Sequence, residues 1–143
     1  MRQYCLFTAL IVSLVSSGSL HATTIKIATL APDGTAWMNE MRAAAERTEE
    51  KTDGRVKIKF YPGGVMGSAA TVQRKIRVGQ IQGGAFTGGE LATFYPDVYL
   101  LNVPFLYRSH EEVAHVREGF DEKLVDGLKD QGWTVLGLSG AGF

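Results

Sequence analysis

The chain is poor in the residues that reactive chemistry needs. Its 143 residues include one cysteine, Cys5, which excludes a disulfide and any cysteine-based metal site. Lys and Arg (15) balance Asp and Glu (15), so the formal net charge is zero. No cluster of basic residues with interleaved aromatics is present, so no nucleic acid is expected as a partner. The longest apolar stretch near the N-terminus, Leu6 to Val15, is roughly half of the ~20 residues a membrane span requires.

Motifs that could carry catalysis are incomplete in the same way. His110-Glu111-Glu112-Val113-Ala114-His115 resembles the zinc motif H-E-x-x-H, but its histidines are five apart rather than four. On a helix that separates them by roughly 140°, so they point from different faces. Gly63-Gly64-x-x-Gly67 lacks the Lys-Ser/Thr of a phosphate loop. Glu49/Glu50, Glu111/Glu112 and Asp121/Glu122 are neighbours on helix surfaces, with nothing to set two carboxylates across a cleft. Gly137-Leu138-Ser139-Gly140-Ala141 is close to a nucleophile elbow, yet both His110 and His115 precede it. Gly140-Ala141-Gly142 lacks the third glycine of a dinucleotide fingerprint. No catalytic constellation and no cofactor site survives, and binding is the better class. An exported α/β hydrolase using Ser139 is the alternative.

What is present begins with an export signal. Arg2, the Leu6–Val15 run and a polar break at Ser16-Ser17-Gly18-Ser19 precede Leu20-His21-Ala22. This is the layout of a secretory signal peptide over residues 1–22, cut after Ala22, which would place the rest in a periplasm. Cys5 lies before the cut and would be lost with it, and it cannot bear a lipid. Without Arg2 the remainder is very slightly acidic.

The mature segment reads as one α/β domain over residues 23–143. Thr24 to Leu30 alternates like a strand, Ala31-Pro32-Asp33-Gly34-Thr35 turns, and Asp33 or Thr35 caps a helix. That helix carries Trp37, Met41, Ala44, Ala45 and Thr48 on its apolar face and ends at Asp53-Gly54. Val56, Ile58 and Phe60 alternate with Lys57, Lys59 and Tyr61 in a second strand stopped by Pro62-Gly63-Gly64. Ser68 caps a helix reaching about Val78, Gly79 occupies its C′ position, and a third strand enters Gly83 to Thr87. Two βαβ units sharing a strand imply a parallel sheet with right-handed crossovers. Further on, Gly88 to Phe94 reads as a short helix and Val98 to Val103 as a strand covered on both faces. Ser109 to Glu112 forms a capping box ahead of a helix that Gly132 terminates, and Thr134 to Leu138 reads as a final strand.

Ligands of such sheets sit beyond the carboxyl ends of the strands, and here Gly63–Ser68 and Thr87–Glu90 supply glycine-rich edges. If Gly67 or Gly88 lies at positive φ or against a ligand, backbone geometry is what it contributes.

These residues, taken in order, resemble the extracytoplasmic solute-binding proteins of tripartite ATP-independent periplasmic (TRAP) transporters, of the C4-dicarboxylate-binding (DctP) type. The features that match are the Thr24–Pro32 strand and loop, Gly54-Arg55-Val56, Tyr61-Pro62-Gly63-Gly64-Val65-Met66-Gly67, Val78-Gly79-Gln80-Ile81, Phe94-Tyr95-Pro96-Asp97 and Val103-Pro104-Phe105-Leu106. The resemblance covers Thr24 to Phe143. It implies a periplasmic binding protein type II-like lobe, a mostly parallel sheet flanked by helices, with a second lobe that would close on the ligand lying beyond Phe143. It also implies transport rather than catalysis, with a small carboxylate solute as ligand and TRAP membrane permease subunits as partners. Laid on this chain, it puts ligand against Leu30, Ala31, Pro32, Gly67, Ser68, Thr87, Gly88, Pro104 and Phe105. The family's carboxylate-pairing arginines would fall beyond Phe143, and the one arginine near a strand end is Arg108. In this half the apolar Leu30 and Ala31 stand where other members carry Asn.

Overall fold

The computed structural model describes residues 22–140. The expected leader, apart from Ala22, and Ala141-Gly142-Phe143, with the ends of the elbow and fingerprint readings, lie outside them.

Strand β1 (Thr23–Thr29) is the middle of a three-stranded parallel sheet, between β2 (Val56–Tyr61) and β3 (Gly83–Ala85). The register pairs Ile25 with Ile58 and Ile27 with Phe60 on one side, and Ile27 with Gly83 and Thr29 with Ala85 on the other. Helix α1 (Ala36–Lys51) joins β1 to β2, and α2 (Ala69–Arg77) carries the chain back across β1 to β3. Right-handed crossovers that step in opposite directions put α1 and α2 on opposite faces of the sheet. The carboxyl end of β1 is therefore covered twice: Ala28 (2% exposed) and Thr29 (7%) are both buried although they face opposite ways. Ala28, Val72 and Ile81 form the core on the α2 side, with Met66, Ile76 and Phe86 packed around them.

The helix boundaries follow local side-chain chemistry. Thr35, not Asp33, caps α1, its Oγ1 accepting from the Met38 N–H. Asp33 accepts instead from the Arg42 guanidinium at 2.7 Å, and that bond holds its carboxyl below the usual carboxylate range. Ser68 caps α2, and Gly79 follows that helix at φ +75°. The buried stripe of α1 is led by Met38, fully enclosed, whereas Trp37 is 39% exposed. The expected Met41, Ala44, Ala45 and Thr48 are half-buried, and Met38 takes the place expected of Trp37, because Met38, Met41 and Ala45 keep the i, i+3, i+7 spacing that faces the sheet.

Two expected strands are absent. The segment Val98 to Val103 belongs instead to a 3₁₀-helix, Pro96–Asn102. Pro96 starts it, and the Asn102 amide donates to the Val98 carbonyl. Only Val98 of this run is buried; Tyr99 and Leu100 are 57% and 44% exposed. A short apolar run fits a strand or a helix equally, and here no strand edge lies beside it to settle the choice for a ladder. Residues 133–140 likewise have no regular secondary structure. Leu136 is 92% exposed, and the Leu138 carbonyl accepts from the Arg117 guanidinium rather than from a ladder.

Between these lie α3 (Gly88–Leu91), shorter than expected, and α4 (His110–Asp130). Ser109 caps α4 by accepting from the Glu112 N–H, but the Glu112 carboxylate reaches one residue further back than expected, to the Arg108 N–H at 2.7 Å. Helix α4 buries Leu124 and Leu128 and lays Gly127 against the Tyr95 ring. Arg117 holds Asp121 in a two-pronged pair, the closest approach being 2.7 Å, and this raises its already high pKa.

Candidate binding crevice at the strand ends

The chain leaves β1 toward one side of the sheet and enters β3 from the other. Between the carboxyl ends of these two strands lies the topological switch point where α/β sheets take their ligands. A crevice opens there, lined by Ala28, Thr29 and Leu30 at the end of β1, by Gly64, Met66, Gly67, Ala69 and Val72, and by Ala85, Phe86 and Glu90. About 10 Å³ of it is accessible, room for roughly one water. It is a shallow wall rather than an enclosed pocket.

Glycine geometry builds the near side. Tyr61 ends β2, and Gly63 and Gly64 then turn the chain at φ +65° and +72°. Their N–H groups donate to the Ala31 and Thr29 carbonyls at 2.9 and 3.0 Å, which ties the exit of β2 to the exit of β1. A Cβ on Gly64 would come within 2.9 Å of the Leu30 side chain, so absence of a side chain there is what lets the two loops touch. Gly67 sits at φ +97°, in the left-handed region that disfavours L side chains. Polar groups at the crevice are matched locally: Thr29 Oγ1 accepts from the Ala31 N–H, and Lys75 donates to the Met66 carbonyl at 3.1 Å.

The far side is set by a capping box. Thr87 Oγ1 accepts from the Glu90 N–H, while Glu90 Oε2 accepts from the Thr87 N–H at 2.8 Å and from Thr87 Oγ1 at 3.0 Å. Behind it, Phe86 meets Phe94 edge-on with centroids 4.9 Å apart, and Phe94 stacks on Trp133 at 5.7 Å.

Of the residues expected at the site, the structure brings Leu30 and Gly67 to the crevice. Ala31 and Pro32 are not in its lining, and the Ala31 carbonyl accepts from the Gly63 N–H. Ser68 is committed to capping α2, and Thr87 to its box with Glu90. Gly88 is not at positive φ; a Cβ there would run into the Asn102 side chain, so packing accounts for that glycine. Pro104 and Phe105 do not line the crevice. Phe105 is fully exposed at φ +62°, an uncommon conformation for an aromatic residue. Sequence reasoning missed Thr29 and Phe86, and it named the Gly63–Ser68 and Thr87–Glu90 edges without singling out Met66 or Glu90 within them. For Glu90 the signal was available, since Thr87-x-x-Glu90 is a capping-box pattern at a strand end.

The lining holds no arginine, lysine or histidine. Among the described residues no three His, Cys, Asp or Glu side chains are placed to hold a metal. His115 lies 3.6 Å from Glu118 on an exposed helix face. Ser139 is exposed in the irregular segment, with no strand to present it as an elbow would require. No helix among the described residues is long and apolar enough to cross a membrane.

Several proteins resemble this one. The 2,3-diketo-L-gulonate-binding periplasmic protein YiaO of Escherichia coli (strain K12) is 33% identical over 81 residues, 57% of this chain and 24% of YiaO. A TRAP periplasmic solute binding protein from Sulfitobacter sp. NAS-14.1, solved with bound β-D-galacturonate, superposes with a TM-score of 0.71 at 24% identity over 80% of this chain and 39% of its own. Another, from Sulfurospirillum deleyianum DSM 6946 with bound succinate, gives 0.71 at 20% over 79% and 37%. At these identities the two structures speak to the fold alone. The curated relatives are matched over 24% to 40% of their own length, so the chain spans about a third of them. Residues 27–143 match the family described as DctP, bacterial extracellular solute-binding protein, family 7, a family of binding proteins rather than enzymes, and the chain belongs to it.

Proposed function

We propose that this chain contributes one wall of the solute site of a TRAP-type transport protein and takes a small organic acid for a membrane permease. The observation that carries this reading is the position of the crevice. It lies at the switch point between β1 and β3, with its backbone brought close by Gly64 and Gly67 and with no catalytic group in its lining. The ligands named for its relatives, a diketogulonate, a galacturonate and a succinate, are all carboxylates. Residues 23–143 are then the N-terminal lobe, and residues 1–22 a signal peptide that delivers it to the periplasm. Mass spectrometry of periplasmic extract should find a mature N-terminus at Thr23; an intact Met1 on membrane-embedded chain would refute the leader.

No cation is in the lining, and the adjacent Lys75 is engaged by the Met66 carbonyl, so the charge-assisted hydrogen bonds that anchor carboxylates, about 1.5–3 kcal/mol each, are not supplied by the wall. Affinity should accordingly be weak, on the order of millimolar or about −4 kcal/mol. Titrating the full chain with D-galacturonate and succinate while following backbone amides by NMR tests this. Shifts should concentrate at Leu30, Gly64, Gly67 and Phe86. Shifts confined to other surfaces, or none at ~50 mM acid, some fifty times that constant, would exclude the crevice as the site.

A further inference from the structure

The crevice has one ionised side chain in its lining, and it has the sign opposite to that expected for an acid-binding wall. Glu90 is also not free to swing away. Its Oε2 is held by both the N–H and the hydroxyl of Thr87, at 2.8 and 3.0 Å, within a reciprocal capping box. Both bonds fall on Oε2. Among the described residues no hydrogen bond reaches Oε1, so that oxygen of a crevice-lining residue keeps its capacity to accept. An ionised carboxylate can only accept. It repels a second carboxylate brought against it and attracts hydroxyl donors; the neighbouring Ala28, Leu30, Met66, Val72 and Phe86 carry no charge, and Lys75, beside the lining, donates to the Met66 carbonyl.

We infer that Glu90 is a specificity-determining residue that selects hydroxylated acids over simple dicarboxylates, receiving ligand hydroxyls at this wall and forcing the ligand carboxylate to point away from it. This rests on the solute-binding reading above and narrows its ligand class. The selection works by exclusion as much as by attraction: a succinate-like ligand extended across the crevice would set one carboxylate against Glu90, whereas a sugar acid can present hydroxyls there.

The test uses the full chain and two probes, D-galacturonate and succinate, titrated by NMR against the unmodified protein and Glu90→Gln. Glutamine keeps the length and the acceptor for the Thr87 N–H while removing the charge. The unmodified chain should prefer galacturonate, with shifts at the Thr87 and Glu90 amides that succinate does not produce. In Glu90→Gln the succinate-to-galacturonate affinity ratio should rise roughly tenfold, equivalent to about 1.4 kcal/mol. If both acids bind at the crevice and the ratio does not move, the inference fails while the solute-binding reading stands. If neither acid perturbs the crevice, both fall together. Should the variant lose its dispersed spectrum, the unmodified chain decides: succinate shifting Thr87 and Glu90 as strongly as galacturonate overturns the inference.

Discussion

The carboxyl edge of the sheet and the stretch from Tyr99 to Leu106 contain similar residues and end in opposite states. In the cluster packed on the sheet there, Ala28, Val72 and Ile81 are at most 5% exposed. In the other stretch, Tyr99, Leu100, Phe105 and Leu106 are 44% exposed or more. Hydrophobicity therefore did not decide which apolar side chains went inside. What distinguishes the two is a partner. The edge is enclosed by two βαβ crossovers that bring α1 and α2 onto opposite faces of β1, whereas the 3₁₀ segment and the turn after it have no facing layer for most of their side chains.

The largest effect should come from testing burial directly. Ile81→Ala removes a side chain that is 1% exposed from the cluster with Ala28 and Val72, and should cost about 2–5 kcal/mol in urea unfolding. Leu136→Ala, at a side chain 92% exposed, should stay within about 0.5 kcal/mol. Equal losses at the two sites would mean that the irregular segment packs in solution as firmly as the core.

A smaller effect, with a change of sign, should appear along α4. Gly119 has open space where a Cβ would be, so Gly119→Ala should stabilise the helix by about 0.5–1 kcal/mol. At Gly127 the Cβ would meet the Tyr95 ring, a stiff neighbour, and Gly127→Ala should destabilise by about 1–3 kcal/mol. Thermal unfolding of both variants checks this. Stabilisation by both would show that α4 is not seated on Tyr95 and that the contact surface between this helix and the rest lies elsewhere.

Much of the fold was legible because its signals act over three or four residues. Thr35, Ser68 and Ser109 each cap a helix by accepting an N–H three positions on, and Gly79 closes α2 in the left-handed conformation its position requires. The alternation in β1 and β2 likewise reports a periodicity within each strand. The candidate site was legible in outline, since glycines after β2 mark close backbone approach, but its membership was not. Leu30 and Gly67 reach the crevice, while Ser68 and Thr87 are held in caps and Gly88 packs on Asn102. Glu90 arrives only because its own cap turns it there.

By itself the sequence determined the parallel βαβ order, the helix ends and the backbone-permissive turns, since each depends on contacts within a few residues. Only the tertiary structure decided which segments became strands and which loops met. Val98–Val103 and Thr134–Leu138 have strand-like composition, but a strand exists only when another backbone supplies its ladder, and none of the described residues does so for either. The same non-local logic made the crevice: Gly63 and Gly64 reach the Ala31 and Thr29 carbonyls because register places the exits of β1 and β2 side by side, a contact between positions some thirty residues apart that no local pattern encodes.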